Sequence, residues 1–317
     1  MPRLEMVRGC FAAMVVCLAA LPAMPGESGV STLQKASARA MAGRRGAAVV
    51  ADVHSGHILA AYHLDVAARR VAHPGSAIKP FTLLALLQAG KLEGQTALMC
   101  KRTVSISGHK LDCTHPATPE PLVPASALAY SCNSYFTSVA TRLTPTQLHD
   151  TFVRSGFSSL SELAPDDVAG SVALAHSPEE LQLQAIGEWG ISVTPLELLR
   201  GYLNLARLAK SGPDGKLSPL FEGLQQSVAY GMGRMAQPDT AMKVAGKTGT
   251  AVSDEGPWTH AWFAGYAPAE NPQIALVVFL EKGHGGSDAA GVAREIFAAF
   301  AANHTAGVTE AAKEARQ

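Results

Sequence analysis

The chain has 317 residues, and its 26 Lys+Arg balance 26 Asp+Glu, so the formal net charge is zero. That balance argues against a nucleic-acid-binding protein, which carries a basic patch or stripe. With 47% apolar and 16% charged residues the chain is too apolar to be disordered, and it is long enough to bury one large core or two small ones. Aromatics at 6% disfavour a base-stacking or lectin-like surface.

The N-terminus reads as a targeting segment over residues 1–24. Arg3 and Arg8 precede an apolar run from Cys10 to Met24, which is short for a bilayer span and has the layout of a secretory signal peptide. Cleavage after Ala20 or Ala23 fits, and Met6 is an alternative start. An uncleaved anchor in the inner membrane is the other reading; both export the rest of the chain to the periplasm or an equivalent extracytoplasmic space. Cys10 and Cys17 lack a lipobox.

Residues 46–64 form two apolar runs around His54-Ser55-Gly56-His57, a strand–turn–strand signal. Residues 76–90 are apolar nearly all round and predict a helix buried on most sides, with Pro80 in its first turn and Gly90 at its end. Three thiols follow: Cys100, Cys113 and Cys132. In an oxidising compartment the expected pairing is Cys100 with Cys113, a loop closure worth about 3 kcal/mol, leaving Cys132 as a buried thiol. Zinc held by Cys100, Cys113, His109 and His115 is the alternative, with spacing that matches no familiar zinc signature. Further helices are predicted near 124–142, 178–186 and 195–210, the last opened by Thr194 as N-cap and Pro195 at N1. Strands are predicted at 243–252, 259–267 and 273–281, with 268–272 as the turn between the last two. A helix over 287–302 closes the domain, and residues 303–317 read as a polar tail, either the polar end of that helix or a frayed terminus. Strands, then helices, then strands and a helix give an α+β layout with an antiparallel sheet.

Three short motifs carry chemistry. In Ser76-Ala77-Ile78-Lys79, positions i and i+3 share a helix face, so a lysine amine can face a serine hydroxyl. Serine is a weak nucleophile without an adjacent base, and a lysine becomes that base when burial lowers its pKa. The apolar flank of Phe81, Leu83 and Leu84 supplies the burial. Alone, such a spacing usually marks a surface pair. Ser131-Cys132-Asn133 alone would read as a helix cap. Lys247-Thr248-Gly249-Thr250 lies on a predicted strand, where a glycine lets another backbone lie close. Lys247 is expected to stay charged and attract a carboxylate, unlike Lys79.

Taken in this order the three are specific. The chain resembles the transpeptidase domain of the penicillin-binding proteins, within the serine β-lactamase and D,D-peptidase superfamily. The likeness covers residues 30–302. It includes residues 30–53, Ala185-Ile186-Gly187 through Val193-Thr194-Pro195-Leu196, and His260 through Pro268. The resemblance implies a central antiparallel sheet flanked by helices, with an all-helical subdomain. It also implies roles. Ser76 is the acylated nucleophile, Lys79 its base, and Ser131 a proton relay. Asn133 holds a substrate amide, Lys247 sets the cleft's electrostatics, and Thr248, Gly249 and Thr250 receive the substrate backbone and its carboxylate. The N–H groups of Ser76 and Thr250 form the oxyanion hole. Peptidoglycan stem peptides ending in D-Ala-D-Ala are the implied substrates and β-lactams the implied covalent inhibitors, with no metal or cofactor required. Any membrane association is expected only through the N-terminal segment.

The chain departs from the family pattern at Ile78, where an aromatic is usual, and at Gly291, where proline is frequent. No pedestal or glycosyltransferase domain is read ahead of the transpeptidase part, which speaks against a main elongation or division synthase. One rival reading is a β-lactamase, but residues 162–180 offer no glutamate in the E-x-x-L-N pattern, and a class D enzyme more often has Ser-x-Val or Ser-x-Ile at the second motif. Another is a penicillin-binding sensor that acylates without turnover. The remaining histidines form no metal-binding pair and read as surface or core, and Gly283–Gly286 reads as a loop beside the cleft.

Overall fold

The structure, a computed structural model, describes residues 27–212 and 215–314; the targeting segment at 1–24 lies outside the described residues. The elements in chain order begin with α1 (Glu27–Ala40), β1 (Gly46–Asp52), β2 (Ile58–Tyr62), α2 (Leu64–Arg69) and α3 (Lys79–Gln88). A hairpin of β3 (Thr103–Ile106) and β4 (His109–Asp112) precedes α4 (Pro124–Ala129), α5 (Asn133–Ala140) and α6 (Pro145–Arg154). Then come β5 (Ser171–Val172), α7 (Pro178–Gln184), β6 (Ile191–Ser192), α8 (Pro195–Lys210) and α9 (Ser218–Ala229). The last are β7 (Ala245–Val252), β8 (Thr259–Ala267), β9 (Ile274–Leu280) and α10 (Ala290–Glu314).

Five strands make one antiparallel sheet in the order β2-β1-β9-β8-β7. Both faces are covered, which is why β1 and β9 read as unbroken apolar runs rather than as alternation. Along β9, Ala275, Val277 and Phe279 enter the core shared with α8 and the helical region. Ile274, Leu276, Val278 and Leu280 point the other way, into the core made with α1 and α10. The predicted strand bounds hold to within two residues.

The helical region is built around α3. Residues Lys79 to Leu87 are all buried, as the all-round apolar pattern requires. The Gly90 and Lys91 N–H groups donate to Leu87 and Leu86 carbonyls and close the helix. Helix α8 opens with a reciprocal capping box between Thr194 and Glu197. Its Tyr202 reaches across the core, where the hydroxyl donates to the Ala77 carbonyl at 3.0 Å. Tyr202→Phe leaves that carbonyl without its partner, so it is expected to cost about 1–3 kcal/mol of stability, measured by urea unfolding.

The structure corrects two expectations here. The run 124–142 is two helices, because Ser131 between them takes a left-handed backbone (φ 56°) that no helix can contain. The closing helix begins at Ala290 after a π-type turn over Gly285–Ala289, and it runs on to Glu314 through most of the predicted tail.

Candidate active site

The three motifs meet where α3, the α4–α5 junction and β7 converge. Ser76 sits on a 3-10 turn (Gly75–Ile78) that leads into α3, and the Lys79 N–H donates to the Ser76 carbonyl. Gly75 has φ 50°, and a Cβ there would lie 2.6 Å from the Thr250 carbonyl oxygen, so only glycine lets the turn settle against β7. Gly187, in the loop after α7, also has a positive φ and presses on the Gly75 carbonyl from the other side. The buried Trp262 indole donates to the His73 carbonyl at 2.9 Å, and Tyr202 holds Ala77. The turn that carries Ser76 is therefore fixed on both flanks.

Lys79 is fully buried, and its Nζ lies 2.8 Å from the Ser131 carbonyl, 2.6 Å from Asn133 Oδ1 and 3.3 Å from Ser131 Oγ. Burial pulls its pKa down to about 8, partly opposed by the nearby Cys132 and Cys113 sulfurs and by Glu188. A neutral amine has two N–H groups and one lone pair. The two short contacts take the N–H groups, which leaves the lone pair for a hydroxyl proton. Lys247 is also fully buried, and its Nζ donates to Ser131 Oγ at 2.9 Å and to the Thr248 carbonyl at 2.9 Å. Ser131 Oγ thus stands between two amines, able to accept from one and donate to the other.

The environment of Lys247 is closer to that of Lys79 than the sequence suggests, since both amines are fully buried. Burial, and then repulsion from Lys79, push the Lys247 pKa well below the ordinary lysine value. A carboxylate arriving beside it would draw the pKa back up. Thr248 is buried, Thr250 is half-buried, and the Thr250 Oγ1 accepts from the Gly285 N–H at 3.0 Å. Residues 283–286 are accordingly beside the cleft. Asn133 is half-buried and caps the arrangement through the Asp112 carbonyl, to which its Nδ2 donates at 3.1 Å.

The predicted Cys100–Cys113 disulfide is absent: all three cysteines are thiols. The fold instead turns Cys113 toward Cys132 (Sγ–Sγ 3.8 Å) and Cys100 toward His115 Nε2 (3.6 Å). His109 stands apart from this group on the exposed hairpin. Sequence reasoning also missed Glu188: the residue is exposed overall, yet desolvation of its carboxyl by the surrounding chain holds its pKa above the usual value, with Lys79, His73 and His109 opposing. Its one sequence signal was its place directly after Gly187 in a stretch already noted. His260 behaves as expected on its strand, with Nδ1 at 2.8 Å from the Glu281 carbonyl.

Residues 46–300 match the family described as penicillin binding protein transpeptidase domain. The chain belongs to that family. Among curated relatives, the peptidoglycan D,D-transpeptidase MrdA of Acinetobacter baumannii is 24% identical, over 84% of this chain and 52% of its own length. The peptidoglycan D,D-transpeptidase PbpA of Mycobacterium tuberculosis is 27% identical, over 71% of this chain and 54% of its own length. The chain therefore spans about half the length of these relatives. Among solved structures, Pseudomonas aeruginosa PBP2 in complex with WCK 5153 superposes with a TM-score of 0.75 at 26% identity, covering 85% of this chain and 77% of that one. The sheet flanked by helices, with its helical region, is the penicillin-binding transpeptidase fold. Among the described residues, no helix is long and apolar enough to cross a membrane.

Proposed function

We propose that the chain is a serine D,D-acyltransferase of the peptidoglycan class, acting outside the cytoplasm on stem peptides that end in D-Ala-D-Ala. The observation that carries this reading is the hydroxyl of Ser131 held between two fully buried lysine amines, beside the turn that presents Ser76. Ser76 Oγ attacks the penultimate carbonyl, and its proton passes to Lys79 Nζ. The N–H groups of Ser76 and Thr250 receive the oxyanion, an interaction whose loss costs about 2.7–4 kcal/mol in hydrolases. Lys79 and Ser131 return the proton to the leaving amine, so D-alanine departs and an acyl-serine remains. An acceptor amine then attacks that ester and Ser76 regains its proton. Water in place of the amine makes the same chemistry a D,D-carboxypeptidase.

Lys247, protonated as the substrate carboxylate arrives, pairs with it alongside Thr248 and Thr250. Asn133 holds the substrate amide. β7 is the border strand of the sheet and is exposed at its Val252 end, so an extended peptide has a strand edge to pair with there. β-Lactams enter by the same attack on Ser76. The segment at 1–24, cleaved or kept as an anchor, delivers the domain to the cell wall.

The test is an incubation of the purified chain with labelled penicillin and, separately, with a D-Ala-D-Ala peptide. The expected results are a penicilloyl adduct mapped to Ser76 that persists for many minutes, and peptide cleavage with more transfer product when a D-amino acid is added. Rapid multiple turnover of penicillin without action on the peptide would assign a β-lactamase instead. A stable adduct with no action on any D-Ala-D-Ala peptide would assign a sensor.

A further inference from the structure

Three thiols and one imidazole converge behind the second motif. Cys100 Sγ, Cys113 Sγ, Cys132 Sγ and His115 Nε2 all lie within 4.8 Å of one another, and all but Cys100 are buried. The Cys113–Cys132 sulfur separation is 3.8 Å and the Cys100–His115 separation is 3.6 Å. A tetrahedron with metal–sulfur bonds of about 2.3 Å has edges of about 3.8 Å. A disulfide needs its sulfurs at about 2.05 Å, and joining any two of these would leave the other two facing one another without a reason.

The surroundings are organised for anionic sulfur. Each thiol accepts a backbone N–H: Cys100 from Arg102 at 3.3 Å, Cys113 from Ser134 at 3.4 Å, and Cys132 from Tyr135 at 3.4 Å. His115 Nδ1 lies 2.7 Å from the Pro116 carbonyl, so that nitrogen carries the proton and Nε2 presents its lone pair to the sulfurs. An imidazole fixed in this way by a carbonyl is the usual support of a metal ligand. Arg102 lies beside the ring and donates to the Cys113 carbonyl at 2.8 Å, tying the segments before and after the hairpin together.

We propose that Cys100, Cys113, His115 and Cys132 bind one zinc ion in a closed Cys3His site that fixes the Ser131-Cys132-Asn133 corner. Four protein donors leave no open position, so the ion is structural and takes no part in acyl transfer. Its ligands come from three segments: the loop leading into the β3–β4 hairpin, the stretch leaving it, and the N-cap of α5. Binding replaces thiol protons, which pass to solvent, and involves no change of oxidation state. Because Cys132 lies between Ser131 and Asn133, the ion holds the left-handed Ser131 backbone and the Asn133 side chain where Lys79 needs them.

The test uses the whole exported chain. After equilibration with zinc chloride and desalting, elemental analysis is expected to find one zinc per chain. Exchange for cobalt is expected to give the visible bands of a tetrahedral ion and a strong thiolate charge-transfer band. Cys100→Ser is expected to weaken that band and lose zinc to a chelator at least tenfold faster, whereas His109→Ala, outside the cluster, is expected to match the wild type. Substoichiometric zinc, an octahedral cobalt spectrum, or a Cys113–Cys132 disulfide in freshly isolated wild-type protein would overturn the site. Chelation is also expected to slow penicillin labelling of Ser76, with recovery on zinc addition. An unchanged labelling rate in metal-stripped protein would overturn the fixing role while leaving the acyltransferase reading intact.

Discussion

Lys79→Arg is expected to slow acylation by labelled penicillin about 10²- to 10⁴-fold, the usual worth of a positioned general base. Arginine keeps a cation at this position but cannot give up its proton near neutrality. Ser76→Ala is expected to give no covalent adduct at all, since the attacking oxygen is gone. The pH profile carries the same argument with a definite sign. Lys79 is lowered to about 8 by burial, so its neutral form grows as pH rises toward that value. Acylation is expected to rise close to tenfold per pH unit well below about 8 and to level off above it. At pH 7 roughly a tenth of the lysine is then neutral, against less than a thousandth for an ordinary lysine. A rate independent of pH between about 6 and 9 would remove Lys79 as the base.

Gly75→Ala is expected to reduce acylation about 100-fold while leaving a folded protein. Alanine at a left-handed position costs about 1–2 kcal/mol. The larger effect is geometric. The new methyl would meet the Thr250 carbonyl, and the turn can relieve that contact only by moving away from β7. Ser76 moves with it, and a displacement of about 1 Å at a reacting group costs on the order of 10²-fold. Gly187→Ala presses on the same turn through the Gly75 carbonyl. The two changes act on one turn through neighbouring contacts, so the double variant is expected to lose less than the product of the single losses. Labelling rates and urea midpoints for the three variants are the measurements. Wild-type labelling by Gly75→Ala would show that the turn's fit to the strand does not set the position of Ser76.

The strands around the sheet were legible because short apolar runs are bounded by Gly, Pro and polar turns, and β7 to β9 lie close to where those boundaries place them. The burial of Lys79 was legible because its own helix is apolar all round. The burial of Lys247 was not, because it comes from the packing of β7 against elements distant in the chain. The break at Ser131 had a local signal, the Ser-Cys-Asn triplet that reads as a cap, yet the predicted helix ran through it, because the left-handed φ of 56° is set by the tertiary corner. The thiol cluster shows the same limit. Proximity in sequence favoured Cys100 with Cys113 and set Cys132 aside, whereas the fold brings Cys132 and His115 to both of them. Side chains that act through neighbours of distant sequence leave no local periodicity to read.

The position of β7 at the border of the sheet has a consequence for solubility. A border strand offers unpaired backbone groups to any other chain and is commonly protected by lysines, prolines or a bulge. The run Ala245 to Val252 contains no proline, and its single lysine points into the interior. Protection comes instead from the turn that carries Ser76, which lies against Gly249 and Thr250, so that exposure is limited to the strand's last residues around Val252. A variant that loosens this turn would therefore do more than misplace Ser76. It would uncover the unpaired backbone edge of β7, and aggregation on storage or mild heating would be its visible sign.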